Sequence, residues 1–270
     1  MGDTDGELAI VAAQAAGGVI RSRFRAPMTR YAKGRNDFAT DADVAAERAI
    51  LAILAAARPE DRFIAEESGG TGEAAAARVW LIDPLCGTRN FATGTPHVAV
   101  NIAARVGSTI TAAVVADPFA EEVFWTEGDG AWLRRDGLDS RLTPTVESRL
   151  VEVNLDYWVP GSGGFEPARL LGDPAFHADF GARVLSTTLA VGWVAAGRRA
   201  AYVSDGDLRD SVHFTSGIAL CRAAGCVVTG LLGQPMDAPP YGVVAAADAE
   251  THAALVEIIA AQIGSENFSG

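Results

Sequence analysis

The stretch Trp80-Leu81-Ile82-Asp83-Pro84-Leu85-Cys86-Gly87-Thr88-Arg89-Asn90-Phe91 runs an apolar segment straight into a carboxylate, a proline and a glycine–threonine pair. Upstream, Phe63-Ile64-Ala65-Glu66-Glu67-Ser68 repeats the same plan, apolar and then acidic. Val79 to Ile82 and Phe63 to Ala65 read as short buried strands, each ending in carboxylates. An acid in that position is costly unless it is solvated, paired or bound to a cation. Glu66, Glu67 and Asp83 thus have two readings: strand ends facing water, or oxygen ligands converging on a hard divalent ion. Pro84 followed by Gly87-Thr88 describes a tight turn that can aim a carbonyl and a hydroxyl inward.

Outward from there, Leu8, Val11, Ala12, Ala15, Val19 and Ile20 fall at helical spacing and predict a helix over 8–24. A second helix is expected from Asp41 to Ala57 with Thr40 as its N-cap. Val98 to Ala104, Ile110 to Ala116 and Glu122 to Trp125 read as successive strands, with a turn at Gly128-Asp129-Gly130. Between Glu147 and Phe180 only loops are marked, at Gly161-Ser162-Gly163-Gly164 and Pro174. Helices over 187–198, 212–224 and 248–263 follow, with a strand over 242–246. Strands and helices alternate without a long linker or a repeat, which predicts a layered α/β (α+β) body. The expected division is into residues 1–145 and 146–270.

The chain has 270 residues, 49% of them hydrophobic, so a sizeable core is available. A formal charge of −12 argues against nucleic acid as partner, because little would neutralise a phosphate backbone. Cys86, Cys221 and Cys226 form neither a disulfide framework nor a paired metal motif, which fits a reducing cytoplasm. Met1 to Glu7 is acidic and unlike a secretory leader, and no apolar run is long enough to span a bilayer. A small-molecule substrate is the expected partner.

The central stretch resembles the signature W-x-I-D-P-L-D-G-T-x-N-F of the inositol monophosphatase superfamily, which is preceded there by G-E-E-S. Further segments resemble the family in order from residue 33 to residue 230. They include Thr40-Asp41-Ala42-Asp43 with Glu47, Gly94-Thr95-Pro96-His97, Val115-Ala116-Asp117-Pro118, Ala195-Ala196-Gly197-Arg198 and Ala224-Gly225-Cys226. The resemblance implies alternating layers of helix and sheet in two subdomains with the site in the cleft between them, and commonly a homodimer. It also implies a metal-dependent phosphatase. Glu66, Asp83 and the carbonyl of Leu85 would hold a first Mg2+, while Asp43 and Thr88, with Glu66 close by, would orient the attacking water. The amides of Gly87 and Thr88 would receive phosphate oxygens, and Ser186 and Thr187 lie where the family's backbone meets the sugar. Lys33 matches a family lysine, with a plain surface role as the other reading.

This chain departs from the family at the second metal. The second aspartate of the signature is Cys86, and alignment back from Ala224-Gly225-Cys226 places Val212-His213 where Trp-Asp is expected. Asp210 is the alternative, at the cost of breaking the expected helix register. The resulting set, Asp83, Cys86 and His213, suits Zn2+, Mn2+ or another borderline ion better than Mg2+. With no metal there, Cys86 becomes a candidate nucleophile, His213 its base and Asp83 its orienter. A third reading makes both replacements drift in a disabled site. Leu185 stands at the sugar-facing glycine, and Gly206 where a substrate-binding glutamate is found, so inositol phosphate itself is disfavoured. Cys221 and Cys226 read as core, and His97 as either a packing or a pocket residue. Three functions follow: a divergent hydrolase of a small phosphomonoester, a Cys86–His213 enzyme of acyl transfer, condensation or cyclisation, and a non-catalytic binding protein.

Overall fold

Two threonines open the first two helices. In the computed structural model, which describes residues 4–34, 37–156 and 165–266, the Thr4 hydroxyl accepts from the Glu7 amide and starts α1 (Asp5–Arg23). That cap explains why the helix begins ahead of its first apolar residue. Thr40 starts α2 (Asp41–Ala57), at the expected bounds. Its hydroxyl accepts from Ala42 N–H, and Asp43 accepts from Thr40 N–H in return. The two bonds satisfy amides that a helix start leaves open.

A ribbon of β1 (Arg30–Ala32) and β2 (Phe38–Thr40) leads into α2. The main sheet then forms from β3 (Arg62–Ala65), β4 (Gly69–Thr71), β5 (Arg78–Cys86), β6 (Ala99–Val106), β7 (Thr109–Asp117), β8 (Glu122–Glu127), β9 (Ala131–Arg135) and β10 (Leu138–Arg141). Its order is β10-β9-β8-β7-β6-β5-β3-β4, with α3 (Thr88–Ala92) directly after β5. Side-chain alternation divides its faces. Trp80, Ile82, Ile102 and Val114 pack under Leu8, Ile20, Ile50 and Leu54 of α1 and α2. Leu81, Ala103 and Ala113 turn the other way and meet Val212 and Ala219. Asp83 shares the face of Leu81, so β5 points its carboxylate at the segment that carries His213.

The chain resolves into two compact units. The first joins Met1–Arg141 to Thr187–Leu189 and Asp210–Leu220; the second takes Leu142–Ser186, Ala190–Arg209 and Cys221–Gly270. The second contains β11 (Leu150–Val153), α4 (Pro174–Asp179), β12 (Gly181–Arg183), β13 (Ala201–Asp205), β14 (Val227–Thr229), β15 (Gly242–Ala246) and α7 (Ala249–Glu266). Its sheet order is β12-β11-β13-β15-β14. Val151, Val153, Val203 and Val244 pack with Phe176, Leu255 and Ile259. The remaining helices are α5 (Leu189–Ala195) and α6 (Thr215–Ala224). Among the described residues no helix is long and apolar enough to cross a membrane.

Several elements differ from expectation. β5 does not stop at Asp83 but continues to Cys86 through a register shift between these two residues, at Pro84, which fits proline's confinement to bulges and edges. The helix expected over 187–198 is shorter at both ends, as Leu189–Ala195, and the one expected over 212–224 is shorter at its start. For α6 the reason is Ser211: its hydroxyl accepts from His213 N–H at 3.3 Å and its carbonyl from Thr215 N–H at 3.1 Å, which makes a turn of residues 212–214. α6 ends on Gly225, at φ +95°, with Cys226 N–H donating to Cys221 O at 2.9 Å, and both cysteines are buried as expected. The glycine-rich stretch 161–164 lies outside the described residues.

Candidate active site

The end of β5 organises the site. Asp83, fully buried, accepts the Leu85 amide at 3.1 Å through Oδ1 and is met at Oδ2 by His213 Nδ1 at 2.7 Å. Past the register shift, Cys86 turns its sulfur to the same place, and ligand atoms of Asp83, Cys86 and His213 all lie within 4.8 Å of one another. The amide of Thr188 donates to Cys86 Sγ at 3.4 Å, and the Thr187 hydroxyl donates to the Cys86 carbonyl at 3.4 Å. Asp210, the alternative to His213, is exposed at the surface and sits 4.0 Å from Arg105. His213 reaches Asp83 from the turn before α6 rather than from the helix itself.

A second group adjoins. Gly87, with φ +102°, turns the chain from β5 into α3 in a conformation that suits glycine. Thr88 then donates its hydroxyl to Asp43 Oδ1 at 2.8 Å and lies 3.2 Å from the Leu85 carbonyl. Asp43 Oδ2 is held in turn by Thr40 N–H at 2.8 Å and Thr40 Oγ1 at 2.5 Å. The ammonium of Lys33 bridges Glu66 at 2.9 Å and Glu67 at 2.6 Å, and the Glu67 amide donates to Glu47 at 2.7 Å. Lys33 is therefore a member of the site, not a free surface charge. Ser186 belongs to the second unit, where its hydroxyl donates to Asp156. His97 is half-buried, and its carbonyl accepts from Asn90.

The charges of this cluster act on one another at close range. Burial, then the charge of Asp83, pushes Glu66 up to about 8, against the opposing pull of His213 and Lys33. Burial works against the imidazolium of His213 as well, but Asp83 beside it prevails and holds it far above the usual histidine range. For Asp83 burial again opposes the charged form, and His213 keeps its carboxylate ionised. Burial and then the Asp83 charge push the Cys86 thiol up to about 11. These shifts favour an imidazolium–carboxylate pair of His213 and Asp83 beside a neutral Cys86 thiol.

These residues fit a borderline ion. Zinc takes thiolate, imidazole and carboxylate at about 2.0–2.3 Å, and the chain brings one donor of each kind within 4.8 Å of the others. Glu66 lies close enough to Asp83 for their charges to act on one another. Asn101 is the residue missing from the sequence expectations. It stands directly across from Asp83 in the β5–β6 pairing, and an amide inside the apolar run Val98 to Ala104 was its signal.

The profile of the Inositol monophosphatase family matches residues 4–263. An inositol-1-monophosphatase of Caulobacter vibrioides is 33% identical over 234 residues, 83% of this chain and 88% of the relative. The Nus factor SuhB of Escherichia coli (strain K12) is 34% identical over 231 residues, 84% and 85% of the two chains. The crystal structure of the extragenic suppressor protein suhB from Bartonella henselae superposes with a TM-score of 0.82 at 27% identity, covering 94% of this chain and 97% of that one. Matched along nearly its whole length in sequence and in fold, the chain belongs to the inositol monophosphatase family.

Proposed function

We propose that this chain hydrolyses a small phosphomonoester, other than inositol phosphate, with a hard cation at one site and a zinc- or manganese-class ion at the other. The observation that carries the reading is the Asp43–Thr88 pair at 2.8 Å, beside Glu66 and Asp83. Bound to Asp43, the Thr88 hydroxyl is oriented to accept a proton and position a water for in-line attack on phosphorus. The amides at Gly87-Thr88 lie at the same turn and receive phosphate oxygens. Glu66, Asp83 and the Leu85 carbonyl would hold Mg2+; Asp83, Cys86 and His213 would hold the softer ion. When bound, such ions neutralise the charge that develops on the phosphate. Loading the second site requires Cys86 and His213 to give up protons, so affinity there rises with pH.

The cysteine-nucleophile alternative is weaker. Asp83, 2.7 Å from His213, favours the imidazolium, which opposes its acting as a base toward Cys86, and burial pushes the Cys86 thiol up to about 11. The third reading, a binding protein, draws support from relatives named as a Nus factor rather than as an enzyme. Phosphate release from a panel of sugar and polyol monophosphates separates these readings, with Mg2+ alone and with Mg2+ plus Zn2+, Mn2+ or Co2+. Turnover that needs the second ion and falls at least tenfold in Cys86→Ala supports the proposal. Full activity on Mg2+ alone, unchanged in Cys86→Ala, removes the role given to the second site. No release under any condition removes the hydrolase and leaves the binding protein and the Cys86–His213 enzyme. The homodimer that the resemblance implies and the cytoplasmic location expected from the cysteine pattern belong to this same proposal, and light scattering tests the first.

A further inference from the structure

Asn101 is fully buried, and each of its polar atoms points at a different segment of the site. Its amide nitrogen donates to Thr188 Oγ1 at 2.7 Å and lies 3.4 Å from Asp83 Oδ2. Its carbonyl oxygen accepts from the Ser216 hydroxyl at 3.1 Å. Asp83 is on β5, Thr188 in the segment whose amide donates to Cys86 Sγ, and Ser216 in the first turn of α6, three residues past His213. Thr188 and Ser216 are themselves buried, at 3% and 1% exposure. All four belong to the first compact unit.

Buried polar groups are expensive unless matched, so an asparagine with all its partners inside the core is specified by them. One side chain here fixes the carboxylate, the donor to the sulfur and the entry to the helix behind the imidazole. These three connections come from segments far apart in sequence, and Asn101 adds to the direct links that His213 makes to Asp83 and the Thr188 amide makes to Cys86.

We propose that Asn101 is the positioning residue of the Asp83–Cys86–His213 centre: it sets the direction of the Asp83 carboxylate and the spacing of Cys86 and His213, and so decides which ion the centre accepts. The inference rests on the metal-binding reading above, but its geometric half stands without a metal. Partners one step behind a metal ligand change affinity by about 10–100-fold when removed, and Asn101 falls in that class.

Two readouts test it. In the metal-free protein, the Nδ1 proton of His213, bonded to Asp83, gives a downfield resonance; Asn101→Leu should shift it. With Co2+, sulfur-to-metal charge-transfer absorption reports Cys86 ligation, and Asn101→Leu should weaken Co2+ binding by about tenfold or more. Thr188→Val and Ser216→Ala each cut one arm of the network and should each move one or both readouts by less than Asn101→Leu. If Asn101→Leu does not fold, these two variants decide. Both readouts unchanged within twofold, with only the melting temperature lowered, would overturn the proposal and leave Asn101 a core residue. If the parent protein gives no sulfur-to-cobalt band, the metal reading fails alone, and the His213 resonance still decides the geometric role.

Discussion

Glu66 is a buried carboxyl of the site whose titration moves toward neutral pH. Burial and Asp83 raise it from an ordinary 4.5 to about 8. A carboxyl with a higher value in the folded state binds more protons there between those two points, so its contribution to stability falls as pH rises through that window. Glu66→Gln cannot ionise. In a chelator, its melting temperature relative to the parent should climb from about pH 5 to about pH 8 and level off above. A pH-independent offset would show that Glu66 is already ionised in the folded protein. Cys86 gives the second prediction. With its thiol pushed up to about 11, iodoacetamide near neutral pH should modify it more slowly than an ordinary exposed thiol. His213→Ala removes the one favourable charge and should slow it further; alkylation faster than free cysteine would restore the nucleophile. Both Cys86 and His213 were legible in the sequence, because they stand at marked places in a motif. Asn101 was not: a single amide in an apolar strand has no motif, and only the pairing of β5 with β6 shows that it faces Asp83.

Elements position these residues, and their ends matter more than their middles. α2 was legible to the residue because its start is written in side chains, Thr40 and Asp43, that bond to the backbone. The same Asp43 holds Thr88, so one capping box fixes both a helix and the orientation of the Thr88 hydroxyl. Thr40→Ala should cost about 1 kcal/mol in urea unfolding and also loosen Asp43, lowering turnover, while Thr40→Ser keeps both. Loss of stability with turnover intact would separate the cap from the chemistry. The start of α6 was misjudged because Val212 and Phe214 continue the helical apolar pattern into a turn, where Val212 packs on the sheet instead. β9 and β10 escaped notice for a different reason. Their arginines stack on tryptophans, Arg134 on Trp125 and Arg141 on Trp132, so exposed charge hides a strand pair that simple apolar alternation cannot reveal.

At the scale of the whole molecule, the layered fold was legible because motif order and helix–strand alternation point the same way. The division into units was harder to read, since Thr187–Leu189 and Asp210–Leu220 return late in the chain to pack with the first unit. His213 arrives with them, so the Asp83–Cys86–His213 cluster depends on long-range folding. That linkage makes metal a probe of the folded molecule: an ion bound only by the native state stabilises it by about 2.7 kcal/mol at a hundredfold excess over its dissociation constant. The parent protein should therefore be raised in melting temperature more by Zn2+ than by Mg2+, since sulfur and nitrogen donors favour the softer ion. Converting Cys86 and His213 both to Asp rebuilds an all-oxygen set beside Glu66 and Asp83. Its stabilisation should then shift from Zn2+ toward Mg2+, and release of phosphate should become dependent on Mg2+ alone. The double variant also adds negative charge to a chain already at −12, so without metal it should melt below the parent, and the gap should close as Mg2+ is titrated in. A double variant that keeps the parent's Zn2+ preference would place the ion away from Cys86 and His213. One that binds Mg2+ tightly yet releases no phosphate would show that the scaffold's present chemistry is not hydrolysis.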